Sequence, residues 1–243
     1  MSVLLAMDLT QRRASVAIAV GSRTFVRSFS GQATHGDDAL FVELDALLAE
    51  SRVSKSDINT VAVAVGPGSF TGVRVSIATA KCIATALGIQ VIAVPSAWIE
   101  AEALRKTSSR AETIVALACK KESAWFAPCL YREGRWKFAH EPQVGGVETL
   151  ISCIDALGAH ASGASIALMH DEHLHPSLRD EAIARFVASE ALCADGHALL
   201  SVARECERAG QVLDPIALVP IYPREPEAVT IWETRTANPH RAN

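Results

Sequence analysis

The stretch from Val61 to Val94 constrains this chain more than any other. It sets a buried strand, a glycine loop, an apolar helix and a second strand in immediate succession. Val61 to Val65 is a short, β-branched apolar run stopped by Gly66-Pro67-Gly68, the pattern of a strand covered on both faces. From Val73 to Leu87 the apolar spacing turns helical, Gly88 stands at the C′ position, and Ile89 to Val94 reads as the next strand. A crossover of this kind is right-handed and joins parallel strands, so it predicts an α/β sheet with the helix packed upon it.

The loop leaves two readings open. Its glycines and the free N–H groups of the first helical turn could cradle an anion at the positive end of the helix dipole. That makes Gly66, Gly68, Ser69, Thr71 and Gly72 candidate nucleotide or phosphate contacts. The same glycines would also allow a tight turn and close helix packing. Val73-Arg74 follows Gly72 where a phosphate loop carries Lys followed by Ser or Thr, and the dinucleotide fingerprint is missing too.

On the helix, Val73, Ile77, Ala80, Ala84 and Leu87 form one apolar stripe and Val75, Cys82 and Ala86 another, with Arg74, Lys81 and Thr85 as a narrow polar edge. A helix apolar on most of its circumference needs cover on more than one side. That cover is either the core of one large domain or a partner's helix, which Ser76, Ala78, Ala80, Ala84 and Ala86 would admit closely.

At 243 residues and 49% hydrophobic, the chain can bury a core in two lobes. A formal net charge of −4, 5% aromatics and no basic cluster interleaved with aromatic residues argue against strong autonomous nucleic-acid binding. No apolar run reaches the roughly 20 residues of a membrane span, and no basic leader precedes a hydrophobic one, so a cytoplasmic protein is expected. The six cysteines include no C-x-x-C pair and fall mostly in apolar segments, which predicts buried, reduced thiols.

In chain order, Ser2 to Met7 reads as a strand ending in Asp8-Leu9-Thr10-Gln11. Ala14 to Val20 and Arg23 to Phe29 form a hairpin about Gly21-Ser22. Asp8 either contacts phosphate, with Thr10 beside it, or ties down its own turn. Asp37 can cap an amphipathic helix from Asp38 to about Ser51, with Leu40, Phe41, Leu44, Leu47 and Leu48 on one face; His35 before it reads as a polar turn residue.

Several motifs resemble the TsaB family, also called YeaZ. They are Ala6-Met7-Asp8-Leu9-Thr10, His35 before the amphipathic helix, the run Val63 to Arg74, and Ala80-Lys81, Gly88 and Val94-Pro95-Ser96 in register. The resemblance implies an actin-like ATPase (ribonuclease H-like, ASKHA) fold with a lobe at 1–106, a reduced lobe at 107–228 whose last helix packs back on the first, and a polar tail at 229–243. It implies a non-catalytic subunit that dimerises with a TsaD-type catalytic subunit. The pair forms N6-threonylcarbamoyladenosine at position 37 of tRNAs reading codons that begin with adenine. A TsaE-type ATPase is a further partner, and tRNA is met only through the complex. The helices near Asp38 and Val73 would build the dimer interface, with Leu40, Leu44, Leu47, Arg74, Ile77, Ala80, Lys81 and Ala84 as its candidate residues. The chain alone is expected to hold no cofactor or metal, and the complex interface is a candidate site for ATP or ADP. A homodimer through the same face is expected when the partner is absent.

Two alternatives remain, a self-sufficient actin-fold nucleotide-dependent transferase using Asp8 and the glycine loop, and a metalloprotease-like protein. Against the latter, no H-x-x-x-H occurs in the sequence, and His170, His173 and His175 read as a solvated loop. The second lobe departs from the family where Ala118-Cys119-Lys120-Lys121-Glu122-Ser123-Ala124-Trp125 replaces an acidic hairpin, which reads here as an exposed turn. Strands are expected at 113–118, 124–130, 135–138 and 165–169, and helices at 97–106, 147–157, 177–186 and 197–209. Leu218 to Arg224, with two prolines, reads as an extended strap packed by Ile221 and Tyr222.

Overall fold

The computed structural model describes residues 2–30, 39–158, 166–185 and 187–223. Its first strand, β1 (Val3–Asp8), is buried along its whole length. Leu4 and Ala6 enter one core, while Val3, Leu5 and Met7 enter another, as the twofold period of a strand covered on both faces requires. β1 pairs antiparallel with β2 (Arg13–Val20), which turns at Gly21-Ser22 into β3 (Arg23–Ser30). After α1 (Ala39–Ser51) come β4 (Thr60–Ala64), α2 (Phe70–Leu87) and β5 (Gln90–Val94), with β4 parallel to β1 and β5 parallel to β4. The sheet order is β3-β2-β1-β4-β5.

Beyond α3 (Ser96–Ser108) the pattern repeats. β6 (Glu112–Ala118), β7 (Ala124–Arg132) and β8 (Arg135–Phe138) form an antiparallel meander, to which β9 (Gln143–Gly145) adds a short pairing with β7. α4 (Val147–Gly158), β10 (Ala167–His170), α5 (Pro176–Ala184) and β11 (Ala188–Ala191) supply the parallel side, and α6 (Gly196–Arg208) closes the unit. The order β11-β10-β6-β7-β8 is the first sheet's order read from its other end. Two copies of one ribonuclease H-like unit make the two-lobed actin-type fold, the second with short β10 and β11 strands of four residues each.

The layers interlock through an exchange. α3 follows the first sheet in sequence yet packs on β6 and β7, whereas α6 follows the second sheet and packs on β1, β2 and β5. The first sheet meets α6 with small side chains, Ala6, Ala17, Ala19, Ala62 and Ala64, all fully or almost fully buried. Gly196 opens α6 at the point of contact; a Cβ there would stand 2.8 Å from Val26 Cγ1 and 3.0 Å from Ala17 Cβ. α1 and α2 cover the outer face of the first sheet, α4 and α5 that of the second.

Some expectations need correction. α2 begins at Phe70 rather than Val73, because the Ser69 hydroxyl caps it by accepting from the Gly72 N–H at 3.3 Å. β9 and β11 were not foreseen; they are three and four residues long, and edge pairing with β7 and β10 decides them, not propensity. All six cysteines are free, but Cys82 and Cys193 are exposed. α2, with a mean hydropathy of 1.2 over 18 residues, is long and apolar enough to cross a membrane by length and composition alone, which the sequence reading had not expected of any segment. Here its inner side lies on β1 and β4. Asp37, Asp38, His35, the Gly163 turn and residues 224–243 lie outside the described residues.

One carboxylate ties the middle layer together. Glu102 on α3 has no exposed side-chain surface and accepts from Arg105 Nε (2.8 Å) and Nη2 (3.0 Å), Trp136 Nε1 (3.0 Å) and Ser201 Oγ (2.7 Å). Burial works against its charge, but the bonds from Arg105, Ser201 and Trp136 outweigh burial and hold the carboxyl below its usual range. Removing it strands an arginine and two buried donors. Glu102→Ala is therefore expected to cost about 3–5 kcal/mol in denaturant unfolding.

Candidate functional site

Two regions of the surface have the chemistry of a site: the outer face of α1 and α2, and the cleft between the lobes. On α1, Leu40, Leu44 and Leu47 point into the core against the first sheet, and on α2 Ile77, Ala80 and Ala84 do the same; none is more than 6% exposed. These six predicted partner contacts are thus core residues. The reason is geometric, since a helix on a sheet buries its most regular apolar stripe first. Phe41, expected on the inner face of α1, is instead 55% exposed. The surface left over is also apolar. Phe41 and Val42 on α1 face outward, and so do Val75, Ala78, Cys82 and Ala86 on α2, one helical stripe opposite the buried one. Between the helices a groove of ≈ 290 Å³ is lined by Phe41, Leu44, Leu48, Ile83, Ala86 and Leu87, with Asp45 and Lys55 at its polar margin.

Arg74 and Lys81, also predicted as partner contacts, hold a strap. Arg74 Nε donates to Tyr222 Oη at 2.8 Å, and its guanidinium lies 3.6 Å from the centroid of Phe70, whose ring packs against Tyr222. Lys81 Nζ donates to the Ile216 carbonyl at 3.2 Å. The strap also pairs through the Ile221 N–H and the Val65 carbonyl (2.7 Å), and it buries Leu218. Ile216, Val219 and Tyr222 stay exposed and extend the apolar face of α2 along its edge.

The glycine loop is taken up by packing. A Cβ on Gly68 would collide with the Thr10 carbonyl, and one on Gly72 with the Leu9 carbonyl. The Ser69 N–H donates to the Thr10 carbonyl at 2.7 Å, and Gly66, at φ +98°, accepts from the Ser96 N–H at 2.9 Å. The loop after β1 thus occupies the ground beside the start of α2, while Ser69 and Thr71 remain exposed. Asp8 accepts from the Thr10 N–H (2.8 Å) and hydroxyl (2.7 Å), tying down its own turn. Burial raises its pKa, and the two bonds from Thr10 only partly offset this.

Asp8 sits at the floor of the interlobe cleft, a cavity of ≈ 600 Å³ whose walls include Arg12, Arg13, Glu100, His170 and Cys193. Sequence reasoning missed Glu100, because it lies within an otherwise ordinary amphipathic helix. It is 2% exposed, and one oxygen accepts from the Cys193 and Ala194 N–H groups, both at 2.7 Å. Burial, reinforced by the charges of Asp8 and Asp195, pushes its pKa to about 8 against the pull of those two bonds. His170 is engaged by Ser189 and the Asp171 carbonyl, and His175 caps α5. Among the described residues no group of three His, Cys, Asp or Glu side chains is arranged to hold a metal.

Two measurements follow. A carboxyl whose folded pKa lies above its unfolded value stabilises fully below pH ~4.5 and loses that contribution as pH rises through about 8. Glu100→Gln keeps the acceptor for both N–H groups, so its stability relative to the parent should rise between pH 5 and pH 9 by a few kcal/mol, read from paired melts. Gly72→Ala should destabilise by about 2 kcal/mol or more, since backbone, not a flexible side chain, blocks the new methyl.

A family model described as "TsaD: tRNA N6-adenosine threonylcarbamoyltransferase" matches residues 33–122. The tRNA threonylcarbamoyladenosine biosynthesis protein TsaB of Haemophilus influenzae is 28% identical over 136 residues, 56% of this chain and 57% of that protein. TsaB of Buchnera aphidicola (subsp. Schizaphis graminum) is 26% identical over 118 residues, 49% of this chain and 56% of its own. The chain therefore spans little more than half the length of these curated relatives. In fold, YeaZ from Pseudomonas aeruginosa superposes with a TM-score of 0.74 at 23% identity, over 91% of this chain and all of that one. The chain thus resembles TsaB proteins in sequence over about half of its length and shares the fold of YeaZ.

Proposed function

We propose that this chain is the non-catalytic docking subunit of tRNA threonylcarbamoyladenosine biosynthesis and pairs with a TsaD-type catalytic subunit through the outer face of α1 and α2. The observation that carries this is the second apolar side of α2. Val75, at 40% exposure, Ala78, Cys82 and Ala86 face outward on α2, Phe41 and Val42, at 55% and 63%, face outward on α1, and Phe41 and Ala86 line the apolar groove between the two helices. An apolar patch of this shape is costly to leave in water and suits the exposed stripe of another helix pair. The use of the glycine loop and of Asp8 for packing and turn formation supports a chain that positions a catalytic partner. ATP or ADP then belongs to the assembled interface, and a TsaE-type ATPase and tRNA join through the complex. With no partner present, the same face would pair two copies of this chain.

The test uses co-elution with the TsaD-type subunit of the same organism, together with tRNA modification by the reconstituted system. Val75→Asp is expected to leave the melting temperature within a few degrees and to abolish both co-elution and modification. Ala80→Asp, which buries an unpaired carboxylate, should instead lower stability by several kcal/mol whether or not the partner is present. Full co-elution of the Val75→Asp chain would remove the docking face from α2.

A further inference from the structure

Outside both regions, the middle layer carries a basic pocket. It lies where the end of α3 meets the outer edge of α6 and the start of β3, has a volume of ≈ 280 Å³, and is lined by Thr24, Lys106, His197, Ser201, Arg204 and Arg208, with Leu200 beneath. His197, Ser201, Arg204 and Arg208 follow at intervals of four, three and four residues, one line along α6. Two arginines, a lysine and a histidine therefore converge on one small concavity with no carboxylate among its lining residues.

The neighbouring acids are accounted for. Glu205 is buried and accepts from Tyr131 Oη at 3.0 Å, and Glu207 accepts from Thr60 Oγ1 at 3.0 Å, both away from the pocket line. Glu102 lies beneath, 3.9 Å from Lys106 Nζ, but its charge is matched by the bidentate Arg105. The cations keep donors in reserve. Lys106 Nζ spends one on the His197 carbonyl (3.2 Å), Arg204 one Nη2 on the Gly21 carbonyl (2.7 Å), and Arg208 its Nε on the Arg204 carbonyl (3.1 Å). The carbonyl bonds on Arg204 and Arg208 fix the guanidinium planes and leave N–H groups on both. Ser201 gives its proton to Glu102, so the neutral donor on offer is the Thr24 hydroxyl.

We infer that this pocket binds a phosphate group. Clustered like charges repel when empty, and a phosphate neutralises them while accepting the planar donors that arginine presents. The cations come from α3 and α6, about a hundred residues apart, which is why no basic run marks the site in the sequence. The phosphate can come from an RNA backbone or from a small phosphorylated molecule, and the test separates the two.

The full chain is titrated at low salt with pyrophosphate by calorimetry and with a short fluorescein-labelled RNA by anisotropy. At least one probe should bind. The pair Lys106→Gln with Arg208→Gln should weaken it tenfold or more, and Arg179→Gln, exposed on α5, should leave it unchanged. For RNA, the salt dependence should flatten by roughly one in log–log slope per cation removed. RNA binding without pyrophosphate binding identifies the backbone as source, and the reverse a small ligand. If the double variant melts early, Lys106→Gln alone, an exposed position, gives the same reading. Absence of binding by both probes, or binding that the substitutions in a folded chain do not change, overturns the inference.

Discussion

The structure depends on how closely α6 can approach the first sheet. Alanines at positions 6, 17, 19, 62 and 64 and the absent side chain of Gly196 set that distance. Because α6 arrives from the second unit and α3 leaves the first, the two helices lock the lobes by exchanging partners. Burial in this layer serves both lobes at once, and interiors this densely packed tolerate little change in volume. Glu102 adds direction to that apolar layer, joining α3, β8 and α6 through bonds that only one relative placement satisfies.

The proposed docking face lies outside this locked centre. The outer helices α1 and α2 use their most regular stripes to cover the sheet, so a second set of apolar side chains faces outward. α2 is therefore unusually apolar for its position: one side is spent inward and the other remains. The strap, from Ile216 to Tyr222, fixes the edge of this face through Arg74 and Lys81, giving a preorganised surface in place of a loose helix pair. The interlobe cleft, by contrast, is floored by two buried carboxyls whose pKa values burial raises, and one of them is committed to the turn it begins.

Much of this was legible in the chain. Among the described residues, nine of the eleven strands and all six α-helices follow from period and punctuation, and Gly88, at φ +66°, ends α2 where the spacing required. The apolar side of α6, Leu199, Leu200, Val202, Ala203 and Cys206, is buried in the middle layer, as helical spacing requires. What periodicity cannot give is which of two apolar stripes meets the sheet. Leu44 and Ile77 were read as docking residues and lie in the core, whereas Val75 and Ala86, visible as a second stripe, carry the exposed face. The burial of Glu100 was equally hidden, because a lone carboxylate in a helix is ordinarily a solvated one.

The sequence by itself determined the secondary elements, the parallel crossover at Val61 to Val94 and the glycines at 68 and 72, since these rest on local sterics and on the period of the apolar residues. Only the tertiary structure decided which helix faces water, which carboxyls lose it, and that Lys106 and Arg208 share one pocket. Those outcomes depend on contacts between residues far apart in the chain, and such contacts leave no trace in local spacing.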